Sequence, residues 1–470
     1  MVNLDELKQE VEELIRSKRV ARINFVGVTP WWGRDHRGYT SDHVDEDGIV
    51  GKLRWFLRTV YNRFCVKNLN SYDEADSYVF EYLGSGNRKS LYIFKVTDSR
   101  SRPNKKYEEL NRVNVIIRGK EQENLIPRDM NFTLEILRSN DDPKYDEIVV
   151  GGVLITIAFL GIGFSPNRGF GRFIPAECND TVAKDICSSV IEGKIIDAFN
   201  KFYEKFREIE KGCNRINSWE ESHVPLAPLT ESNGQDRIQI IEACNKNDII
   251  DVLNVIHKSL LKSSFKSNIR DPAPHIHTWI YGLPRNASIT VPTTLIDIRD
   301  VEIKEKVGEN NVRKEIEDLF ENLKKSGNIK IIERYDKRAN KRVHYLRSPS
   351  GYYKLEGSKL TDVKRESMFI ISPIRTSNNS YTISILPFLS LKDNEEVLDN
   401  LVHIGIHDGK TIHIVPLKEI ISMNKADSYL FDKEKELAIN NKDLSFPDNV
   451  SKLIQVYTTA LKDNIMKECR

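Results

Sequence analysis

Between Ala158 and Phe173 the chain reads AFLGIGFSPNRGFGRF, with glycines at 161, 163, 169 and 171. Glycine takes φ > 0 without strain and lets one backbone approach another, so this stretch has to be a tight, closely packed turn. Successive N–H groups in such a turn can form an anion-binding concavity. Arg168 and Arg172 add bidentate phosphate donors, and Phe170 adds a flat face for a base. The same pattern also describes a structural hairpin with solvated arginines. The apolar run Ile148–Phe159 that leads into it reads as a buried strand.

At 470 residues the chain is long enough for two or more domains with sizeable cores. A net charge of +2 supplies no global field for nucleic acid, so any such binding must come from local clusters. The six cysteines form no CxxC pair, which reads as reduced thiols in a cytoplasmic protein rather than a disulfide framework or zinc ribbon. The N-terminus is a charged amphipathic helix without the apolar core of a signal peptide. No run reaches the ~20 apolar residues of a membrane span, so no membrane partner is expected.

In chain order, ARINFVGVTPWW reads as a strand ending at Pro30, and a polar loop with Trp31, Trp32, Arg34, His36 and Arg37 follows. In IVGKLRWFLRTVYNRF, residues Leu53, Phe56, Leu57, Val60 and Phe64 define a buried helical stripe. Lys52, Arg54, Arg58, Arg63 and Lys67 punctuate this helix with no acid among them. Arg54 and Arg58 share a face beside Trp55, which favours phosphate contact over a snorkelling basic face. LYIFKV, NVIIRG and NFTLEILR read as strands, and Thr181–Ile209 as one helix. The proline-rich segment 213–235 reads as a linker. A helix from Arg237 to Ser263, a helix from Val312 to Ser326, a basic hairpin from Lys330 to Arg347, and strands MFIISPIR, YTISILPFL and TIHIVPL complete the chain, before a last helix from Ser451 to Met466.

Most catalytic motifs fail. Gly409-Lys410-Thr411 lacks the earlier glycine of a P-loop, where Ile404 stands. The dinucleotide spacing fails at Pro166. No HExxH or GxSxG is present, and His275, His277, His403, His407 and His413 have no metal-ligand spacing. No metal or cofactor is expected. His36 and His43 lie beside basic residues and could act as acid or base in RNA cleavage.

The segment VTPWWG (Val28–Gly33), the helix IVGKLRWFLRTV (Ile49–Val60) and LGIGFSPNRGFGRF, with Gly282-Leu283-Pro284 and ISPIR (Ile371–Arg375) later, resemble the RAMP superfamily of CRISPR systems. More narrowly they resemble the family of first subunits of type III-B Cmr effector complexes. Pro166-Asn167 stands where the superfamily loop carries further basic residues, and about 301–365 reads as extra length. The resemblance implies an α+β fold of two tandem ferredoxin-like (RRM-like) domains with insertions. These would be 1–212 with the glycine loop, linker 213–235, and 236–470 with the insertion at about 301–365. It implies a non-catalytic subunit that contacts 3′-proximal guide RNA (crRNA), helps capture complementary target RNA and meets other Cmr subunits. The RNA-binding residues expected are Trp31, Trp32, Lys52, Arg54, Trp55, Phe56, Arg58, Arg168, Gly169, Phe170, Gly171 and Arg172. A metal-independent endoribonuclease for precursor guide RNA and a pure scaffold are the alternative readings.

Overall fold

A computed structural model of the chain describes residues 4–469 apart from 36–37, 111, 114–124, 232–233, 242–243, 245, 247, 265–286, 294–302, 305–309, 337–339, 357–358, 363–366, 377–379, 391–400, 408–410 and 417–445. The chain forms two compact units. The first is Met1–Lys258 with Phe369–Ser390 and Ile465–Arg470; the second is Ser259–Met368 with Leu391–Asn464.

The first unit begins with α1 (Leu4–Lys18) and β1 (Arg19–Gly27). After them come α2 (Glu46–Phe64), α3 (Asp73–Leu83), β2 (Tyr92–Pro103), β3 (Arg128–Arg138), α4 (Asp146–Ile155) and β4 (Phe173–Pro175). The strands form an antiparallel sheet in the order β2-β3-β1-β4. With helices after β1 and β3, this is the ferredoxin-like β-α-β-β-α-β arrangement. Strand β1 shows why the sheet has two faces. Ala21, Ile23 and Phe25 are buried while Arg22, Asn24 and Val26 between them are exposed, the two-residue period of a half-buried strand. Inside, Phe25 stacks on Phe132 at 5.2 Å between ring centres, and Phe132 meets Phe173 at 5.0 Å.

The apolar run at 148–159 is a helix, not a strand. α4 continues into one π-helical turn, Thr156–Leu160, and every residue from Ile148 to Leu160 is buried. A run that is apolar on all sides has no period to separate a buried helix from a buried strand. Its glycines show what sets the choice. A Cβ on Gly151 would lie 2.6 Å from Ile186 Cδ1, and one on Gly152 would lie 2.8 Å from Leu53 Cδ1. Helix packs against helix at both points.

The helix expected over 181–209 is two helices, α5 (Lys184–Ile191) and α6 (Ile195–Ile209). Between them Gly193 takes φ +71°, and a Cβ there would stand 2.8 Å from Arg375 O. The stretch 213–235 is not a free linker. Buried Arg63 donates to Ala227 O at 2.8 Å and Ile216 O at 2.9 Å, and pairs with Asp236 at 2.8 Å. Asn62 adds a bond to Pro225 O at 3.2 Å. The segment therefore belongs to the first unit, and the division falls after Lys258. The helix expected from Arg237 is strand β5 (Gln239–Ile241) followed by α7 (Ile249–Ser264).

The second unit holds β6 (Ala287–Thr293), β7 (Ile303–Lys304), α8 (Asn310–Lys325), β8 (Lys330–Asp336), β9 (Lys341–Glu356) and β10 (Lys359–Asp362). The chain then returns to the first unit with β11 (Phe369–Arg375) and β12 (Tyr381–Pro387), which form a three-stranded sheet in the order β11-β12-β5. β13 (Leu401–His407) and β14 (Thr411–Pro416) complete the second unit's sheet, and α9 (Phe446–Cys469) follows. That seven-stranded sheet runs β10-β9-β13-β14-β7, with β6 and β8 also paired to β9. The stretch 301–365, read as extra length, thus supplies the strand on which the others depend.

The expectation of reduced thiols is also corrected. Cys65–Cys213, Cys178–Cys187 and Cys244–Cys469 are disulfides, with Cα separations of 4.7, 5.8 and 4.6 Å. Two of them join residues 148 and 225 positions apart, a proximity that no spacing motif could display. All three bridges lie in the first unit.

Candidate nucleic-acid interface

The glycine loop is held from below by the exit of β1. Gly171 N–H donates to Pro30 O at 3.0 Å, Ile162 N–H to Gly171 O at 3.0 Å, and Phe164 N–H to Trp32 O at 2.8 Å. Gly171 has φ +66°, and a Cβ there would sit 1.9 Å from Ile162 O, so this crossing excludes every other residue. On the far side, a Cβ on Gly169 would meet Leu253 Cδ2 at 2.8 Å, where α7 packs.

The loop's two arginines end in opposite situations. Arg172 is fully buried. Its Nε donates to Ser372 Oγ at 3.0 Å, Nη1 to Phe170 O at 2.8 Å, and Nη2 to Pro166 O at 2.7 Å. Burial pushes its guanidinium down to about 9, still protonated at neutral pH. It staples the loop to β11 and offers nothing to a phosphate, which corrects the expected contact. Arg168 is half-buried, and its guanidinium has no hydrogen bond or ion pair among the described residues. Burial, then the nearby charge of Arg112, pushes it down to about 10. Its carbonyl accepts from His257 Nε2 at 3.3 Å. His257 stacks on Phe170 at 5.4 Å, and its Nδ1 has no partner. Burial, then the Arg168 charge, pushes this imidazole down to about 3, so it is neutral.

The aromatic residues expected to stack bases are mostly internal. Phe170, Trp31, Trp32 and Phe56 are all buried. Trp31 Nε1 donates to Ser41 O at 3.1 Å, and Trp32 Nε1 to Leu125 O at 3.0 Å. Trp32 packs edge-on against Phe164 at 4.9 Å, and Phe56 lies 5.3 Å from Phe202. These rings form the floor of the loop and the core, so no face is left for a base. Gly169 and Gly171 are likewise buried and act through backbone conformation alone.

Helix α2 presents its cations, but the fold brings them partners. Arg58 pairs with Asp76 of α3 at 2.6 Å, and Arg54 Nη2 donates to Leu83 O at 2.6 Å. Lys52 Nζ lies 4.2 Å from the centre of the half-buried Trp55 ring, which itself packs on Phe388 at 4.6 Å. The acid missing between Lys52 and Lys67 thus arrives from a neighbour.

Residues 24–174 match the model of the RAMP superfamily. The matched segment runs from within β1 to within β4 and includes the basic helix and the whole glycine loop. No curated protein matches the chain. Among solved structures, the chain is similar to Cmr1 from Pyrococcus furiosus in its apo form. The identity is 10% and the TM-score 0.42, over 78% of this chain and 88% of that one. It is also similar to a chain of the type III-B Cmr-β complex bound to cognate target RNA and AMPPnP, at 12% identity and a TM-score of 0.44, covering 81% and 97%. A third, the Cmr-β complex bound to cognate target RNA, gives 14% identity and a TM-score of 0.42, covering 79% and 94%.

On the open face of the β2-β3-β1-β4 sheet, Arg22, Asn24, Asn131, Thr133 and Glu135 line up, and Glu135 sits within 3.4 Å of Arg22 and 3.7 Å of Arg19. No aromatic side chain stands there to stack a base, unlike the sheets of RRM proteins. The loop rim is the better surface. Exposed Arg34 lies 4.1 Å above the Phe164 ring, beside Ser165 at φ +59°. Sequence reasoning left Arg34, Phe164 and Arg112 out of the site; Arg34 follows directly on the Trp-Trp-Gly run, the one available signal. His43 is exposed, and among the described residues its ring contacts its neighbours Ser41 Oγ at 3.3 Å and Asp42 at 3.4 Å. His36, His275, His277, Gly282-Leu283-Pro284 and Gly409-Lys410 lie outside the described residues. Among the described residues, no acidic, His or Cys cluster could hold a metal, and no helix is long and apolar enough to cross a membrane.

Proposed function

We propose that the chain is a non-catalytic, RNA-binding RAMP subunit of a type III-B CRISPR ribonucleoprotein in the cytoplasm. It contacts 3′-proximal guide RNA, helps capture complementary target RNA for antiviral defence, and meets other Cmr subunits. Its second half serves as a further ferredoxin-like domain. One observation carries the RNA reading: Arg168, at the rim of the glycine loop, has no hydrogen bond or ion pair among the described residues and lies beside Arg112 and a neutral histidine. A guanidinium kept without a carboxylate is suited to a phosphate, which it can take bidentately. Arg34 and Phe164 extend this rim with a second cation and a partly exposed ring. Contacts of this kind read backbone and leave sequence to base pairing.

The test is a salt titration of single-stranded RNA binding to the purified chain and to an R34A/R168A variant. For single strands, log affinity falls against log salt by about 0.7 per neutralised phosphate. The variant should bind more weakly with a slope flatter by about one such step or more. Equal affinity and slope would remove the assignment. Specific cleavage of precursor guide RNA in EDTA, lost in H43A, would replace it with a metal-independent endoribonuclease.

A further inference from the structure

The β8–β9 hairpin of the second unit has a charged face that the proposed function does not use. Its register sets Lys330 opposite Arg347, Ile332 opposite Tyr345 and Arg334 opposite Val343. Directly opposed residues of an antiparallel pair share a face, and the face repeats every second residue. Lys341, opposite Asp336, therefore lies on this face too. On the other face Leu346 and Ser348 are buried at the hairpin's base, while Glu333, Tyr335 and Arg342 are exposed towards its tip. There Arg342 pairs with Glu333 at 3.5 Å, so that face matches its own charge.

The first face does not. Lys330, Arg334 and Lys341 are exposed and make no ion pair among the described residues. Asp336 is the single acid among this face's positions in the ladder, since Glu333 belongs to the other face. Between the cations Tyr345 is half-buried, with Ile332 and Val343 beside it. β6 widens the surface, placing Thr290 opposite Arg347 and Pro292 opposite Tyr345. Lys330 and Arg334 are four residues apart on one strand, about 13 Å. Cations spread over such a length around one aromatic ring suit an extended polyanion whose bases can stack, rather than a single ion.

We propose that this face docks a segment of single-stranded RNA, phosphates on Lys330, Arg334 and Lys341 and one base on Tyr345. The ligand class rests on the proposed function; the surface is separate from the glycine loop. The experiment is a salt titration of an unstructured oligouridine against the full chain, with K330E/R334E/K341E, Y345A and R168A variants alongside. The triple variant should bind at least about tenfold more weakly at low salt, with a slope flatter by about 2. Y345A should lose roughly tenfold with an unchanged slope, as for a lost stacking contact. A triple variant equal to wild type, while R168A is weakened, overturns this surface and leaves the proposed function standing. A wild type that binds no RNA overturns both. Unchanged RNA binding with loss of an acidic partner protein overturns it in favour of a protein interface. If the charge reversals fail to fold, K330Q/R334Q/K341Q carries the same reading with a smaller loss.

Discussion

The glycine loop of the first unit and the β8–β9 hairpin of the second both concentrate arginine and lysine, and they use them differently. The loop turns Arg172 inward, where backbone carbonyls and Ser372 occupy its donors. It leaves the Arg168 guanidinium without a partner among the described residues. The hairpin keeps Lys330, Arg334 and Lys341 on an exposed strand face. In the loop, backbone crossings and close glycine contacts decide where each charge goes. In the hairpin the two-residue period decides, because alternate positions must face opposite ways. A cation count is thus informative on a strand and uninformative in a glycine-rich loop.

The largest test of this contrast is Arg172→Met. It should cost about 3–5 kcal/mol in urea unfolding, because buried acceptors lose their donor. Arg168→Ala should stay within roughly 1 kcal/mol. Equal costs for the two would break the distinction between staple and ligand. Next comes the covalent stitching that the hairpin lacks. Replacing Cys65 and Cys213 by serine should cost about 2–4 kcal/mol, since the bridge closes a long loop. The Cys178–Cys187 bridge spans only nine residues and should cost less. Melts with and without reductant would rank them.

Gly171→Ala sharpens the loop side further. Its φ of +66° and the Cβ contact at 1.9 Å should together cost roughly 1–3 kcal/mol or more by thermal melting. Acid tests the loop's seat on α7. His257 is neutral in the fold, with its pKa pushed down to about 3, whereas an unfolded histidine titrates near 6.5. The unfolded chain therefore binds the extra proton, and this stabilisation is lost as pH falls from about 6.5 towards 3. His257→Gln should flatten that part of the stability–pH profile; an unchanged profile would mean the imidazole is not sealed by the loop. The smallest stability effect belongs to K330E/R334E/K341E, whose substitutions should shift stability by about 0.5 kcal/mol or less each. A larger loss would mean that the hairpin cations hold the fold.

Much of the fold was legible from local pattern. The inward Ala21, Ile23 and Phe25, the stripe of Leu53, Phe56, Leu57 and Val60, and the terminal helices follow from period and composition. The 148–160 helix was not, because residues buried on every side carry no period. The break at Gly193 was hidden inside a continuous helical stripe.

By itself the sequence determined where the glycine turn must lie, the buried stripe of the basic helix, and a resemblance to the RAMP superfamily carried from Val28 to Arg375. Tertiary structure alone decided which cations remain available. Asp76, from another helix, meets Arg58, and carbonyls on either side of the glycine turn, with Ser372, take up Arg172. Tertiary structure also paired cysteines 148 and 225 residues apart and bound 213–235 to Arg63. Charge and burial are properties of neighbours in space, and a one-dimensional pattern fixes only neighbours along a single element.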